Sequence, residues 1–170
     1  MDIKLGRVTW PPGTAKDKIA RKSRTGAGTK IPYGFSLQGM VLPSTKGLKR
    51  LTKKDLDSLD ATSVHTILEN FLGEKNDETV ALATSFQTKI KDIERFFDGQ
   101  TAFHNFSSSL LCVYDQGVPH SAQVHIIDFA HSFPGVGKKD NNLLFALKNV
   151  RTLFDEYIFK VNNKLDIKLY

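Results

Sequence analysis

Cysteine is almost missing from these 170 residues. The one copy, Cys112, excludes an internal disulfide framework and a cysteine-rich zinc site. It stands in Leu110-Leu111-Cys112-Val113, an apolar run in which a thiol behaves as a small buried hydrophobe. No apolar run approaches the roughly 18 residues that a membrane-crossing helix requires. The opening Met1-Asp2-Ile3-Lys4 lacks the apolar core of a secretory leader, so a cytoplasmic or nuclear location is expected. Repeats and low-complexity segments are missing too. So are glycine-rich phosphate loops. Gly135-Val136-Gly137-Lys138-Lys139 has no Ser or Thr after the lysine and no upstream glycine at the Walker spacing. Gly26-Ala27-Gly28-Thr29-Lys30 fails in the same way, and both read as turns. The five histidines, at positions 65, 104, 120, 125 and 131, show no paired metal spacing.

What is present suits one compact domain of 170 residues, with 40% apolar residues to build a core. The charge is unevenly placed. Residues 1–54 hold 13 Lys and Arg against 2 Asp and Glu, or +11, while residues 55–170 hold 11 against 16, or −5. A segment this cationic repels itself unless an anion or acidic surface offsets it, although most such runs are solvated faces. Nucleic acid is the weaker candidate partner, because only Trp10, Tyr33 and Phe35 supply aromatic rings there.

Patterning divides the chain into a basic part (1–54), a helical part (55–100) and a hairpin with a closing helix (101–170). Residues 1–10 predict a short interrupted strand, 15–24 a helix with a basic face, and Phe35 to Val41 a half-buried strand. Gly26-Ala27-Gly28 is expected to end the first helix. Thr52-Lys53-Lys54-Asp55 has the form of a capping box before a helix bearing Val64, Ile67, Leu68 and Phe71. Leu82, Phe86, Ile90, Ile93 and Phe97 mark a second helix, and Leu143 through Val161 a last one capped by Asp140 or Asn141. Ser107–Tyr114 and Gln123–Asp128 predict a hairpin. Strands and helices mix without βαβ alternation, so the fold class is α+β with an antiparallel sheet.

Two places can carry chemistry. In Val124-His125-Ile126-Ile127-Asp128-Phe129-Ala130-His131 an apolar strand ends in a carboxylate followed by little bulk, as in strands that hold a nucleotide-bound Mg2+. In Asp2-Ile3-Lys4-Leu5-Gly6, a strand would turn Asp2 and Lys4 to the same face. Each pattern alone is unspecific.

In order along the chain, the motifs resemble the inositol polyphosphate kinase family. Asp2-x-Lys4-x-Gly6 is similar to the second half of its Pro-x-x-x-Asp-x-Lys-x-Gly signature, and the basic segment follows at the family's spacing. Gly34-Phe35 with Gly39-Met40, then Lys49-Arg50-Leu51-Thr52, Ser108-Ser109-Leu110-Leu111, Ile127-Asp128-Phe129-Ala130-His131 and Ala146-Leu147-Lys148 resemble later family elements. His131-Ser132-Phe133-Pro134 is closest to the family's multikinase branch. The resemblance implies the C-lobe of a fold related to protein kinases and ATP-grasp enzymes. It implies ATP and Mg2+ as cofactors and inositol trisphosphate or tetrakisphosphate as substrate. Phosphoinositide head groups are a further possible ligand, and a module that binds inositol phosphates without turnover is the alternative. By the resemblance, Asp2 and Lys4 are catalytic, Asp2 and Asp128 contact nucleotide, and Asp128 holds the metal. Lys4, Lys18, Arg21, Lys22, Lys49 and His131 bind substrate, and Ser109 supports the metal aspartate. The family proline lies four positions before its aspartate, whereas Met1 directly precedes Asp2 here. The expectation is therefore a chain beginning inside the catalytic core, without the smaller lobe. Arg21 and Lys22 also stand where neutral amides are expected.

Overall fold

The computed structural model describes residues 1–44 and 47–167. A short strand β1 (Asp2–Leu5) is followed by helices α1 (Lys16–Arg24) and α2 (Ala27–Tyr33), then strands β2 (Phe35–Ser44) and β3 (Gly47–Thr52). One turn of helix, α3 (Lys53–Leu56), precedes α4 (Ser63–Leu72) and the long α5 (Asp77–Gly99). Next come β4 (Phe103–Asn105), β5 (Ser109–Val113), β6 (Gln123–Ile127), β7 (Ser132–Pro134) and α6 (Asn141–Ile167). Short 3-10 turns lie at Pro119–Ser121 and Phe129–His131.

The main sheet is antiparallel, in the order β3-β2-β1-β5-β6, and β4 pairs with β7 in a separate ribbon. Strand side chains alternate between faces. Ile3, Leu5, Phe35, Leu37, Leu110 and Cys112 are all 4% exposed or less, and they close one face against the helices. Asp2, Lys4, Ser36 and Ser109 fall on the opposite face, because Lys4 lies opposite both Ser36 and Ser109 in the ladder. The pairing slips between Asp2 and Ile3, with Gly39 opposite Asp2 but Leu37 opposite Ile3. This bulge switches the parity of β2, so Met40 and Leu42 return to the core while Gln38 and Gly39 both sit beside Asp2.

The core is one cluster drawn from β1 through α6. Phe86 on α5 is fully buried and lies within 5.9 Å of Phe71 and 5.5 Å of Phe154, centroid to centroid. Tyr114 meets Phe71 edge-on at 5.2 Å, and its hydroxyl donates to the Phe71 carbonyl at 2.6 Å. The Asn76 side chain caps α5 by accepting from Thr79 N at 2.9 Å. Asp140 caps α6, accepting from Leu143 N at 3.0 Å, and its other oxygen accepts from Asn105 N at 2.7 Å.

Three expectations are corrected. The strand expected over residues 1–10 stops at Leu5, because Gly6 adopts φ +96° and a side chain there would collide with Asn142. The segment after Gly26 is a helix, not a turn. Gly26 and Gly34, at φ +62° and +76°, delimit α2 rather than ending α1. The capping box at Thr52 does form, with Asp55 accepting from Thr52 N and Oγ1 at 2.7 Å each, but it starts only α3. A separate helix begins at Ser63, where Asp60 Oδ1 accepts from Ser63 N at 2.8 Å.

Candidate substrate and nucleotide cleft

Lys4 is the centre of the open sheet face. Its Nζ donates to the Ser107 carbonyl at 2.6 Å and to Asp128 Oδ2 at 3.2 Å, across 124 positions of sequence. Two of the three ammonium donors are thereby used, and one remains. Both partners have left-handed backbones unusual for non-glycine residues, Ser107 at φ +64° and Asp128 at φ +66°. Such conformations cost energy and persist where the surroundings enforce them. Asp128 sits one residue past β6, so the left-handed turn swings its carboxylate off the strand and back towards Lys4. The Asp128 side chain is 58% exposed, against 19% for Lys4, so the carboxylate stays open to a ligand.

Beside Lys4 lies a cavity of ≈ 250 Å³, lined by Thr9, Lys22, Lys30, Lys53 and Ser107, with Thr25, Ser36 and Gln38. Lys22 Nζ donates to the Thr9 carbonyl at 2.8 Å and reaches Ser107 Oγ at 3.4 Å. Ser107 Oγ in turn donates to the Thr9 carbonyl at 2.6 Å, joining the loop after β1, helix α1 and the approach to β5. Burial lowers the Lys22 pKa, and the neighbouring charges of Lys18, Lys4, Lys53 and Arg21 lower it further. Lys30 is lowered by burial first, then by Lys53 and Lys22, against a raising influence from Asp57.

On the far side of Gln38 and Lys53, which border both, a larger groove of ≈ 730 Å³ holds Asp2. Its walls include Met40, Val41, Leu48, Leu111 and Val113. That volume falls within the roughly 300–1,000 Å³ of ordinary small-ligand sites, and an apolar wall with a few polar groups is their usual character. The two recesses form an apolar, nucleotide-sized compartment beside a small cationic one, with Lys4 and Asp128 at the cationic end.

Two buried polar side-chain atoms lack a hydrogen-bond partner among the described residues, Asp2 Oδ1 and Ser109 Oγ. Buried polar groups are normally paired. Both residues belong to the sheet face that carries Lys4, Asp2 on β1 itself and Ser109 opposite Lys4 on β5. No group of three or more His, Cys, Asp or Glu could hold a metal among the described residues. A metal cage made wholly of protein is therefore not offered, whereas Mg2+ characteristically binds one or two carboxylates plus substrate phosphates. Asp128 fits that role.

The residues singled out from sequence are placed as follows. Lys4 and Asp128 meet directly. Asp2 shares their sheet face but opens to the larger groove. Lys22 enters the cationic cavity, while Lys18 and Arg21 are exposed on α1 and do not line it. Lys49 lies opposite Leu42 in the β2–β3 ladder and lines neither recess, while Lys53, exposed four residues on, borders both. The ring of His131 is exposed and unengaged among the described residues, and its carbonyl accepts from Phe106 N at 3.0 Å. Support of Asp128 comes from Ser108, whose Oγ donates to the Asp128 carbonyl at 3.4 Å, rather than from Ser109. Lys30, Lys53, Thr9 and Ser107 were missed. No periodicity marks them, since they meet only through tertiary packing. Phe35, one of three aromatics weighed for nucleic acid, is 1% exposed, and Tyr33 stacks on it at 5.7 Å.

A family model described as inositol polyphosphate kinase matches residues 1–155. The chain is 25% identical over 184 residues to inositol polyphosphate multikinase IPK2 of Oryza sativa subsp. indica, covering 96% of this chain and 62% of that protein. It is 28% identical over 170 residues to inositol polyphosphate multikinase alpha of Arabidopsis thaliana, covering 86% and 59%. The chain thus spans about three-fifths of the length of these curated relatives. A solved inositol phosphate multikinase superposes with a TM-score of 0.79 at 28% identity, over 92% of this chain and 78% of that one. Inositol phosphate multikinase Ipk2 of S. cerevisiae, solved in complex with ADP and Mn2+, shares the fold at a TM-score of 0.79 with 18% identity. With its motifs, its sheet and its paired Lys4 and Asp128 in one frame, this chain belongs to the inositol polyphosphate kinase family.

Proposed function

We propose that the chain serves ATP-dependent phosphorylation of inositol polyphosphates, taking inositol trisphosphate or tetrakisphosphate to higher phosphates. The observation that carries this reading is the 3.2 Å approach of Lys4 to Asp128 at the edge of a lysine-lined cavity. Phosphoryl transfer asks a protein chiefly for positioning and charge neutralisation. Bound Mg2+–ATP supplies the phosphoryl group, and Asp128 is the residue that would hold the metal. Lys4, fixed by the Ser107 carbonyl, keeps a donor for an oxygen of the transferring group or of the acceptor's phosphate. Asp2, on the same strand face as Lys4 and lining the larger groove, would accept from the acceptor hydroxyl and orient it. Lys22 holds substrate phosphate at the cavity wall, and Lys18 and Arg21, exposed on α1, raise the local anion concentration.

The test follows labelled γ-phosphate from ATP to inositol trisphosphate. Transfer that is lost in Asp128→Asn, with inositol trisphosphate binding retained, supports the reading. The cationic cavity needs no nucleotide to hold a polyphosphate, so binding without turnover is the second reading. Transfer undiminished in Asp128→Asn would remove Asp128 from the mechanism.

A further inference from the structure

Little apolar packing holds helix α1. None of its nine residues is buried, and only Ile19 and Lys22 are half-buried. No side chain caps its first turn. Five of the nine residues are Lys or Arg against the single acid Asp17, and Arg21, Lys22 and Arg24 crowd the last turn. A helix this short is marginal without packing, and an element with few buried contacts opens at low cost. Its C-terminal turn still has a task. The Lys22 carbonyl and, at 2.6 Å, the Thr25 carbonyl accept from Lys30 Nζ, which ties α1 to α2. Within that turn stands Ser23, exposed, its hydroxyl donating to the Ile19 carbonyl at 2.8 Å. Cations flank it on both sides in Arg21-Lys22-Ser23-Arg24. Thr52 also lies between cations, but it is fixed in the β2–β3 ladder opposite Gly39 and by its bond to Asp55 at 2.7 Å.

We propose that Ser23 is a phosphorylation site for a protein kinase that selects serines between basic residues, and that phosphate there lowers the affinity for inositol phosphates. The effect on affinity rests on the inositol phosphate reading above, whereas the site itself does not. Protein kinases choose substrates partly by charge pattern, and local opening of α1 presents this one in extended form. The donor is ATP. A bond forms between Ser23 Oγ and the γ-phosphorus as the bond to the β-phosphate oxygen breaks. The hydroxyl proton passes to a carboxylate of the protein kinase, and ADP leaves. The new group carries about −1.5 to −2 charges at pH 7. It offsets about two of the five positive charges on α1, so the helix attracts anions less. It gives Arg21, Lys22 and Arg24 a counter-ion that a free polyphosphate must displace. It also puts negative charge beside the C-terminal carbonyls of α1, where the helix dipole opposes it, and the esterified oxygen no longer donates to Ile19. The turn that supplies both acceptors of Lys30 is thereby loosened. All of these effects weaken binding of a polyphosphate.

The full chain is treated with ATP and the catalytic domain of protein kinase C, and in parallel with the catalytic subunit of cyclic-AMP-dependent protein kinase. Mass spectrometry maps the phosphate, and Ser23 is expected to be its main position. Inositol trisphosphate is then titrated calorimetrically into treated and untreated protein. Phosphorylation should weaken binding about tenfold at low salt, within the usual range of coupling between two sites, and less as salt rises. Ser23→Ala removes only an exposed hydroxyl and substitutes a good helix former, so it should bind trisphosphate as the parent does. Kinase treatment should leave the affinity of that variant unchanged, which separates phosphate on Ser23 from phosphate elsewhere. Phosphate found on Thr52 instead of Ser23, or on neither after both enzymes, overturns the site. Phosphate on Ser23 with undiminished trisphosphate affinity overturns its control of binding. No trisphosphate binding by the untreated parent overturns the inositol phosphate reading, while the mapped position of the phosphate still decides the modification site.

Discussion

Lys4 and Asp128 show how two ordinary residues become a site. Neither is buried deeply enough to be costly, and their ion pair, with one partner 58% exposed, adds little to stability. Its value lies in position, because the left-handed turn at Asp128 brings that carboxylate to Lys4. Asparagine tolerates this conformation better than most residues, so Asp128→Asn should fold normally. It should lose Mg2+-dependent nucleotide binding, as read by titration with ADP in the presence and absence of metal. Lys22→Ala should weaken inositol trisphosphate binding more than Lys18→Ala, since Lys22 reaches into the cavity and Lys18 stays on the rim. Equal losses in the two variants would argue for a diffuse basic face. Cys112 gives a pH test. Burial pushes its thiol up from 9.0 to about 12. The folded state therefore keeps a proton that the unfolded chain releases. The associated stability is complete below pH 9 and declines as pH rises towards about 12. Denaturation midpoints should fall less steeply above pH 9 in Cys112→Ala than in the parent. Asp2 and Lys4 were legible in the sequence as one face of a motif-bearing strand, and Asp128 as the carboxylate that follows an apolar strand. Lys30 and Lys53 were not, because a lysine in a turn-like stretch reads as solvated until its neighbours are known.

At the scale of elements, the long helices were the most legible. The apolar stripe of α5 at spacings of three and four predicts its buried face, and Phe86, at 0% exposure, is its centre. Phe86→Ala should destabilise the protein by about 3–5 kcal/mol, the usual cost of emptying an aromatic site in a core. Chemical denaturation reads that loss. Asp140→Ala removes both the α6 cap and the acceptor for Asn105 N, so its cost should exceed the typical ~1 kcal/mol of a cap alone. The short elements were less legible. α2 lies between two glycines and contains Pro32, which suggests loop chemistry, yet Gly26 and Gly34 act as its two ends. The β2 bulge beside Asp2 leaves no trace in a pattern of alternation, although it moves Gln38 to the border between the two recesses.

The whole molecule separates its charge along the chain and then concentrates it in space. The +11 of residues 1–54 is partly gathered around one cavity, where Lys4, Lys22, Lys30 and Lys53 stand within reach of each other's fields. Affinity for inositol trisphosphate should therefore fall as salt rises, through screening of the rim charges, but retain a component held by the partly buried amines. The antiparallel α+β architecture was legible from the irregular order of strands and helices. The adjacency of β1 with β5, which joins the two ends of the site, was not, because it depends on pairing over more than 100 residues. A crystal structure of the chain with Mg2+, ADP and inositol trisphosphate tests the central claim most directly. The account predicts a metal on the Asp128 carboxylate, nucleotide in the groove beside Asp2, and a ring phosphate among Lys4 and Lys22. An inositol ring bound on the outer face of α1, with Lys4 and Asp128 still paired and touching no ligand, would contradict it.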